Sequence, residues 1–239
     1  MSNLPPLTSR VRDRLSREKR RALDEGRRLA FAYTYTTGPR VLSALRKRWQ
    51  IFCNPHAHIS FGARVFAGPG FKIHAPSGGT LIVGDDVEFR RNTLFELGNA
   101  GARITVGKNS YFTYDVIVSC SGTISFGERV GVGQNCYVVD GNHKFRDLDK
   151  TFLEQGYELR VITIADDAAI HSKVTVINDI GERAIIGANA LVTKPIPAFT
   201  IAGGIPAKVL EYYGPPGREP EGWSSSPTRG PAGDADHVE

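Results

Sequence analysis

Six histidines and three cysteines are the residues best able to do chemistry in this chain of 239 residues, and their spacing sorts them. Imidazole, with an unperturbed pKa of about 6.5, can take and return a proton at neutral pH or bind a metal. A thiolate can attack carbon or bind zinc. Cys53, Cys120 and Cys136 are odd in number and far apart, which fits reduced thiols better than a disulfide framework or a CxxC zinc knuckle. His143 stands out by its place. It follows Asp140 in VVDGNHKFRD, at the opening of the longest interruption in an otherwise regular repeat. A loop histidine with a carboxylate nearby has the parts a general base needs.

The repeat itself has a period of six. From Phe61 onward an apolar residue opens each hexad, Gly often follows it, and the fifth place is small or β-branched: FGARVF, VGDDVE, VGKNSY, FGERVG, VGQNCY, IGERAI and IGANAL are good examples. Coil-opening windows recur at Phe61, Val83, Val106, Phe126, Ile164 and Ile180, which is about three hexads per turn and the mark of a solenoid. Each hexad supplies a short strand and a corner, so first and fifth side chains fill a narrow shared interior. Glycine in second place is read as permitting turn dihedrals that a Cβ would penalise. Cys136 takes a fifth place and is therefore read as core rather than as a nucleophile.

Around the repeat the expected organisation is a basic helical segment over 1–52, a repeat domain over 53–213 with an extruded loop at 139–160, and a disordered tail over 214–239. Residues 9 to 31 read as one helix and Val41 to Trp49 as a second, punctuated by Gly38-Pro39, with Val41, Leu42, Leu45 and Trp49 as an apolar stripe. Both helices are expected to cap one end of the solenoid. Between Arg10 and Arg48 lie thirteen Lys or Arg against four acids, the source of most of the net charge of +5. Such a segment suits a solvated face or peripheral contact with anionic lipid. It lacks the interleaved aromatics of a nucleic-acid platform, so no nucleic acid is expected. No apolar run approaches the roughly 18 residues of a membrane span, and no secretory signal opens the chain, so a cytoplasmic location is expected.

The stretch IGANALVTKPIPAFTIAGGIPAKVL resembles the closing signature of the hexapeptide-repeat acyltransferases. The resemblance implies an all-β fold, a left-handed parallel β-helix of about six coils; the general preference for right-handed crossovers would give the other hand. It implies a homotrimer that takes an acyl group from acetyl-coenzyme A or another acyl-coenzyme A, with no metal expected. His143 would be the general base and Asp140, or a backbone carbonyl, its orienting partner. Gly141 replaces the first histidine of the family's Asp-His-x-His loop. Ser172, Ala188, Thr193 and Lys194 would line the coenzyme A path, and Lys208 would meet phosphate. His171 and Ala169 stand where the family usually has Gly and often Trp.

Likeness to glycan-modifying members points to a sugar hydroxyl as acceptor, with the amine of a nucleotide-linked amino sugar as the alternative. Carbonic anhydrase chemistry on this scaffold needs three histidines around zinc, and the closely spaced pair is missing. A non-enzymatic scaffold would have no need for the inserted loop. His56, His58 and His74 are expected to lie too far from His143 in repeat count to join it within one subunit. Phe112, Tyr114 and Tyr137 are candidates to shape an acyl or sugar pocket.

Overall fold

The computed structural model describes residues 37 to 223. The expected helix over 9 to 31 and the last part of the expected tail lie outside the described residues. The chain winds as a left-handed parallel β-helix of triangular section. Side A stacks Ala57–Phe61, Gly79–Val83, Arg103–Val106, Thr123–Phe126 and Val161–Ile164, then continues as single bridges at Ile180 and Ile196. Side B runs from Phe66–Ala67 to Thr200–Gly203, and side C has six strands from Lys72–His74 to Leu191–Val192. Six coils have all three sides. A partial seventh is closed by Lys208–Tyr212, which pairs antiparallel with Thr200–Gly203 and so ends the parallel stack. The expected coil openings fall in one register, with Phe61 beside Val83, Val83 beside Val106, and Phe126 beside Ile164.

Burial alternates along sides A and C. Ile73, Phe95, Val118 and Val138 point into the core while His74, Glu96, Ser119 and Val139 point out. Phe71, Phe89, Phe112 and Phe126 form a continuous aromatic column with centroids 5.1 Å apart at each step. Each fully buried ring of this kind stabilises the fold by about 1.5 to 3 kcal/mol relative to exposure. Phe112 is therefore core, not pocket, and its hydrocarbon is the reason. Cys136 is 1% exposed in its fifth-place slot.

The role assigned to the second-place glycines needs correcting. From Arg64 to Phe199, every described non-glycine residue with positive φ, between 56° and 60°, sits in the fourth place of its hexad: Asp86, Asn109, Arg129 and Arg183 are examples. The corner is left-handed there, at a cost of roughly 1 to 2 kcal/mol for a residue with a Cβ. The corner N–H groups then bond the coil below, as from Asn109 N to Asp85 O at 2.9 Å and from Arg129 N to Lys108 O at 2.9 Å. Glycine in second place answers a different need, close approach of successive coils. A Cβ on Gly107 would stand 2.3 Å from the carbonyl oxygen of Gly127.

Helix α1, Thr37–Cys53, is longer than expected and includes Pro39 in its first turn, where a missing N–H costs nothing. Its inward face is polar. Ser43 Oγ accepts from Ala67 N, Arg46 donates to Ala67 O, Lys47 donates to Val65 O, and Gln50 Oε1 accepts from Ile73 N. What it covers is the open edge of the first coil, whose unpaired backbone groups need hydrogen-bond partners rather than apolar contact. The apolar stripe consequently faces outward, with Trp49 60% and Phe52 74% exposed. At the other end, residues 214 to 223 fold back on the last coils through Arg218, which meets Glu182 and lies over Phe199.

Candidate active site

Between Val139 and Val161 the chain leaves the coil as an antiparallel hairpin, Gly141–His143 against Tyr157–Leu159. The repeat closes again beneath it, because Thr123–Phe126 pairs directly with Val161–Ile164. Asp140 sits at the hairpin's root, 3% exposed. Its Oδ1 accepts from Ser121 N at 2.8 Å, and its Oδ2 accepts from Gly122 N at 2.7 Å and from the Cys120 thiol at 3.2 Å. Burial, reinforced by the Asp140 carboxylate, pushes that thiol up to about 12, so it stays protonated and donates. The expected hydrogen bond from His143 to Asp140 is not formed. Both carboxylate oxygens are occupied by the turn at 120 to 122, which makes Asp140 the anchor of the hairpin rather than a partner of the imidazole.

His143 pairs with Tyr157 across the hairpin and packs its ring against it at 4.2 Å, with Phe152 edge-on at 5.0 Å. Among the described residues its Nδ1 is buried without a hydrogen-bond partner. The imidazole opens onto a cleft of about 600 Å³ on the outer face of side C, lined also by Asp140, Ser119, Ser121, Tyr137 and Tyr157. Tyr137 is thus in the cleft, while Tyr114 lies beside Arg90 and Arg91 elsewhere.

His74 and Glu96 line this same cleft, so His74, though three coils from the hairpin root and not in contact with His143, is closer to it than repeat count suggests. Repeat count measures distance along the chain, but parallel in-register stacking puts successive coils only about 4.8 Å apart. The signal was present in the third-side strands KIH, LFEL and IVSC, whose outward residues fall in one column once the strands are aligned.

The residues expected along the coenzyme A path lie on the last coils, outside the His143 cleft. Ser172 and Ala188 occupy the same corner of successive coils, where Asn189 N donates to Ser172 O at 3.0 Å. Thr193 and Lys194 follow the last strand of side C, and the Thr193 carbonyl accepts from Asn178 at 3.1 Å. Lys208 opens the closing antiparallel strand. His171 is exposed on the fifth coil, apart from the cleft. Among the described residues no cluster of three His, Cys, Asp or Glu side chains is arranged to hold a metal.

The chain matches no protein-family model. It is 28% identical over 172 residues to a probable acetyltransferase of Mycobacterium tuberculosis, covering 70% of this chain and 57% of that protein. It is 32% identical over 114 residues to the galactoside O-acetyltransferase of Escherichia coli, covering 46% of this chain and 54% of that one. The chain therefore spans a little over half the length of these relatives. Among solved structures, a galactoside acetyltransferase in complex with coenzyme A superposes with a TM-score of 0.52 at 19% identity, covering 87% of this chain and 92% of the other. That likeness is one of fold.

Proposed function

We propose that this chain, a hexapeptide-repeat β-helix related to acetyltransferases, moves an acyl group from acyl-coenzyme A to a hydroxyl of a sugar or glycan, with His143 as general base. The observation that carries the reading is the hairpin. It breaks the repeat only to hold one imidazole over a polar cleft, with the ring fixed by Tyr157 and Phe152. In the reaction the acceptor oxygen attacks the thioester carbonyl carbon while His143 takes its proton. The C–S bond then breaks, and the imidazolium returns the proton to the departing thiolate. No acyl-enzyme is needed, and Cys120 and Cys136 are held as neutral thiols by burial.

Coenzyme A runs past Ser172, Ala188, Thr193 and Lys194 toward Lys208 in this reading. A homotrimer is supported by the apolar hairpin tip, where Phe145, Leu148 and Leu153 stand exposed for a neighbouring subunit to cover. The outward apolar stripe of α1, on a helix with no acidic residue, supports peripheral contact with anionic lipid from the cytoplasmic side. Among the described residues no helix is long and apolar enough to cross a membrane.

A thermal-shift titration with coenzyme A and acetyl-coenzyme A tests the donor without knowledge of the acceptor. Ligand at one hundred times its dissociation constant adds about 2.7 kcal/mol to stability, seen as a saturable rise in Tm. A flat titration with both compounds would remove the acyltransferase reading.

A further inference from the structure

The cleft holds more polar surface than general base catalysis requires, and that surface is arranged in a line. In-register pairing sets His74 beside Glu96, Glu96 beside Ser119, and Ser119 beside Val139 at the root of the hairpin. Strands about 4.8 Å apart make the row from His74 to the hairpin about 14 Å long. The His74 ring, the Glu96 carboxylate and the Ser119 hydroxyl line the cleft. Among the described residues none of the three has a side-chain hydrogen-bond or ion-pair partner. Other polar side chains around the coils are partnered, as Asp140, Asn54 and Asn99 are. An unpartnered polar row at one-coil intervals is therefore free for a ligand that repeats on a similar scale. One pyranose ring is about as wide as one step of the stack, so the row matches a chain of about three sugar units.

Charge narrows the class further. Among the described residues no lysine or arginine lines the cleft, and besides the engaged Asp140 the one carboxylate in its lining is that of Glu96. A free carboxylate accepts hydrogen bonds from hydroxyl groups and repels other carboxylates.

We infer that the acceptor is an uncharged glycan chain laid along side C, with its reacting sugar at His143 and the further units over Ser119 and Glu96 to His74. The assignment of the reacting end rests on the acyltransferase reading; the length and charge of the ligand rest on the row itself. Glu96 and His74 are specificity residues in this arrangement, distant from the transferred group.

Saturation-transfer NMR on the full chain, with and without coenzyme A, tests this. The probes are neutral glucose, galactose, mannose and N-acetylglucosamine series from monosaccharide to tetrasaccharide, and uronic-acid oligosaccharides of the same lengths. In at least one neutral series affinity should climb by about tenfold from monosaccharide to trisaccharide and then level, the increment expected for one or two added hydrogen bonds to a charged group. Glu96→Gln and His74→Ala should each abolish that gain, and His143→Ala should leave it. Length-independent binding, preference for the uronic series, or no oligosaccharide binding in a chain that still binds coenzyme A would each overturn the inference. Loss of coenzyme A binding alone would instead strike the acyltransferase reading, because the length series is read without it.

Discussion

The coils and the extruded hairpin obey different rules. In the coils each residue is fixed by its neighbours above and below, with apolar side chains such as Leu81, Ile104, Ile124 and Ile162 fully buried in one column. In the hairpin, two three-residue strands pair only with each other, and Leu148 at its tip is 95% exposed. The coils accordingly define a rigid frame, while the hairpin carries the ring proposed as general base on a segment that adds little to the core. Stability and chemistry should therefore separate cleanly when each region is mutated. Asp140, which ties one to the other, is where they should not.

The sharpest separation is expected at His143. His143→Ala should reduce turnover by about 10²- to 10⁴-fold while Tm and coenzyme A affinity hold, because the ring packs only on the hairpin's own aromatics. Steady-state kinetics beside a melting curve checks this, and a variant that kept full activity would remove His143 from the chemistry. At Asp140 both readouts should move together. Asp140→Ala strands Ser121 N and Gly122 N without their acceptor and leaves the Cys120 thiol only the Arg103 carbonyl at 3.4 Å, a loss of about 1 to 3 kcal/mol, and frees the hairpin root so that turnover falls with it. Asp140→Asn retains one acceptor oxygen and should recover part of both. A loss in Asp140→Asn as deep as that of His143→Ala, at wild-type Tm, would mean that the carboxylate acts directly on the reaction.

The same contrast explains what could be read from the sequence. The hexad period, the coil openings from Phe61 to Ile180 and the core place of Cys136 were legible because every coil restates one geometric constraint. The hairpin was legible only as the break at Val138 to Ile164, and its internal geometry was not. Three local meanings were hidden. Second-place glycine and fourth-place Asn, Asp or Arg both mark a corner, and sequence alone does not say which carries the positive φ and which the close approach. The stripe on α1 looks like a core face, but the surface it must cover is a row of backbone N–H and C=O groups, so its polar face turns inward. Stacking set His74 and Glu96 in one row leading to the root of the His143 hairpin, across coils far apart in sequence.

Within the coils the two kinds of corner position can be separated by Gly107→Ala. Its φ is not positive, so a corner-dihedral role predicts almost no cost, whereas close approach puts the new methyl against the Gly127 carbonyl at 2.3 Å. Overpacking of this sort costs about 1 to 3 kcal/mol. Denaturant melts should show that loss with turnover per folded molecule unchanged, since the site lies on another side of the helix. A variant as stable as the parent would restore the dihedral explanation.

The smallest effect concerns the join itself. Cys120 has its pKa raised from 9.0 to about 12, first by burial and then by its hydrogen bond to Asp140. The folded chain therefore holds this proton more tightly than the unfolded chain. The resulting stability is fully present below pH 9 and is lost as pH climbs from 9 toward 12, with a slope of at most about 1.4 kcal/mol per pH unit. Cys120→Ser keeps a donor toward Asp140 but removes ionisation from that range. The difference between variant and parent stability, measured by denaturant melts across that range, should therefore tilt in favour of the serine variant as pH rises. Parallel curves would mean that the thiol contributes no proton linkage, leaving the backbone N–H groups of Ser121 and Gly122 as the whole of the anchor that holds the hairpin to the coils.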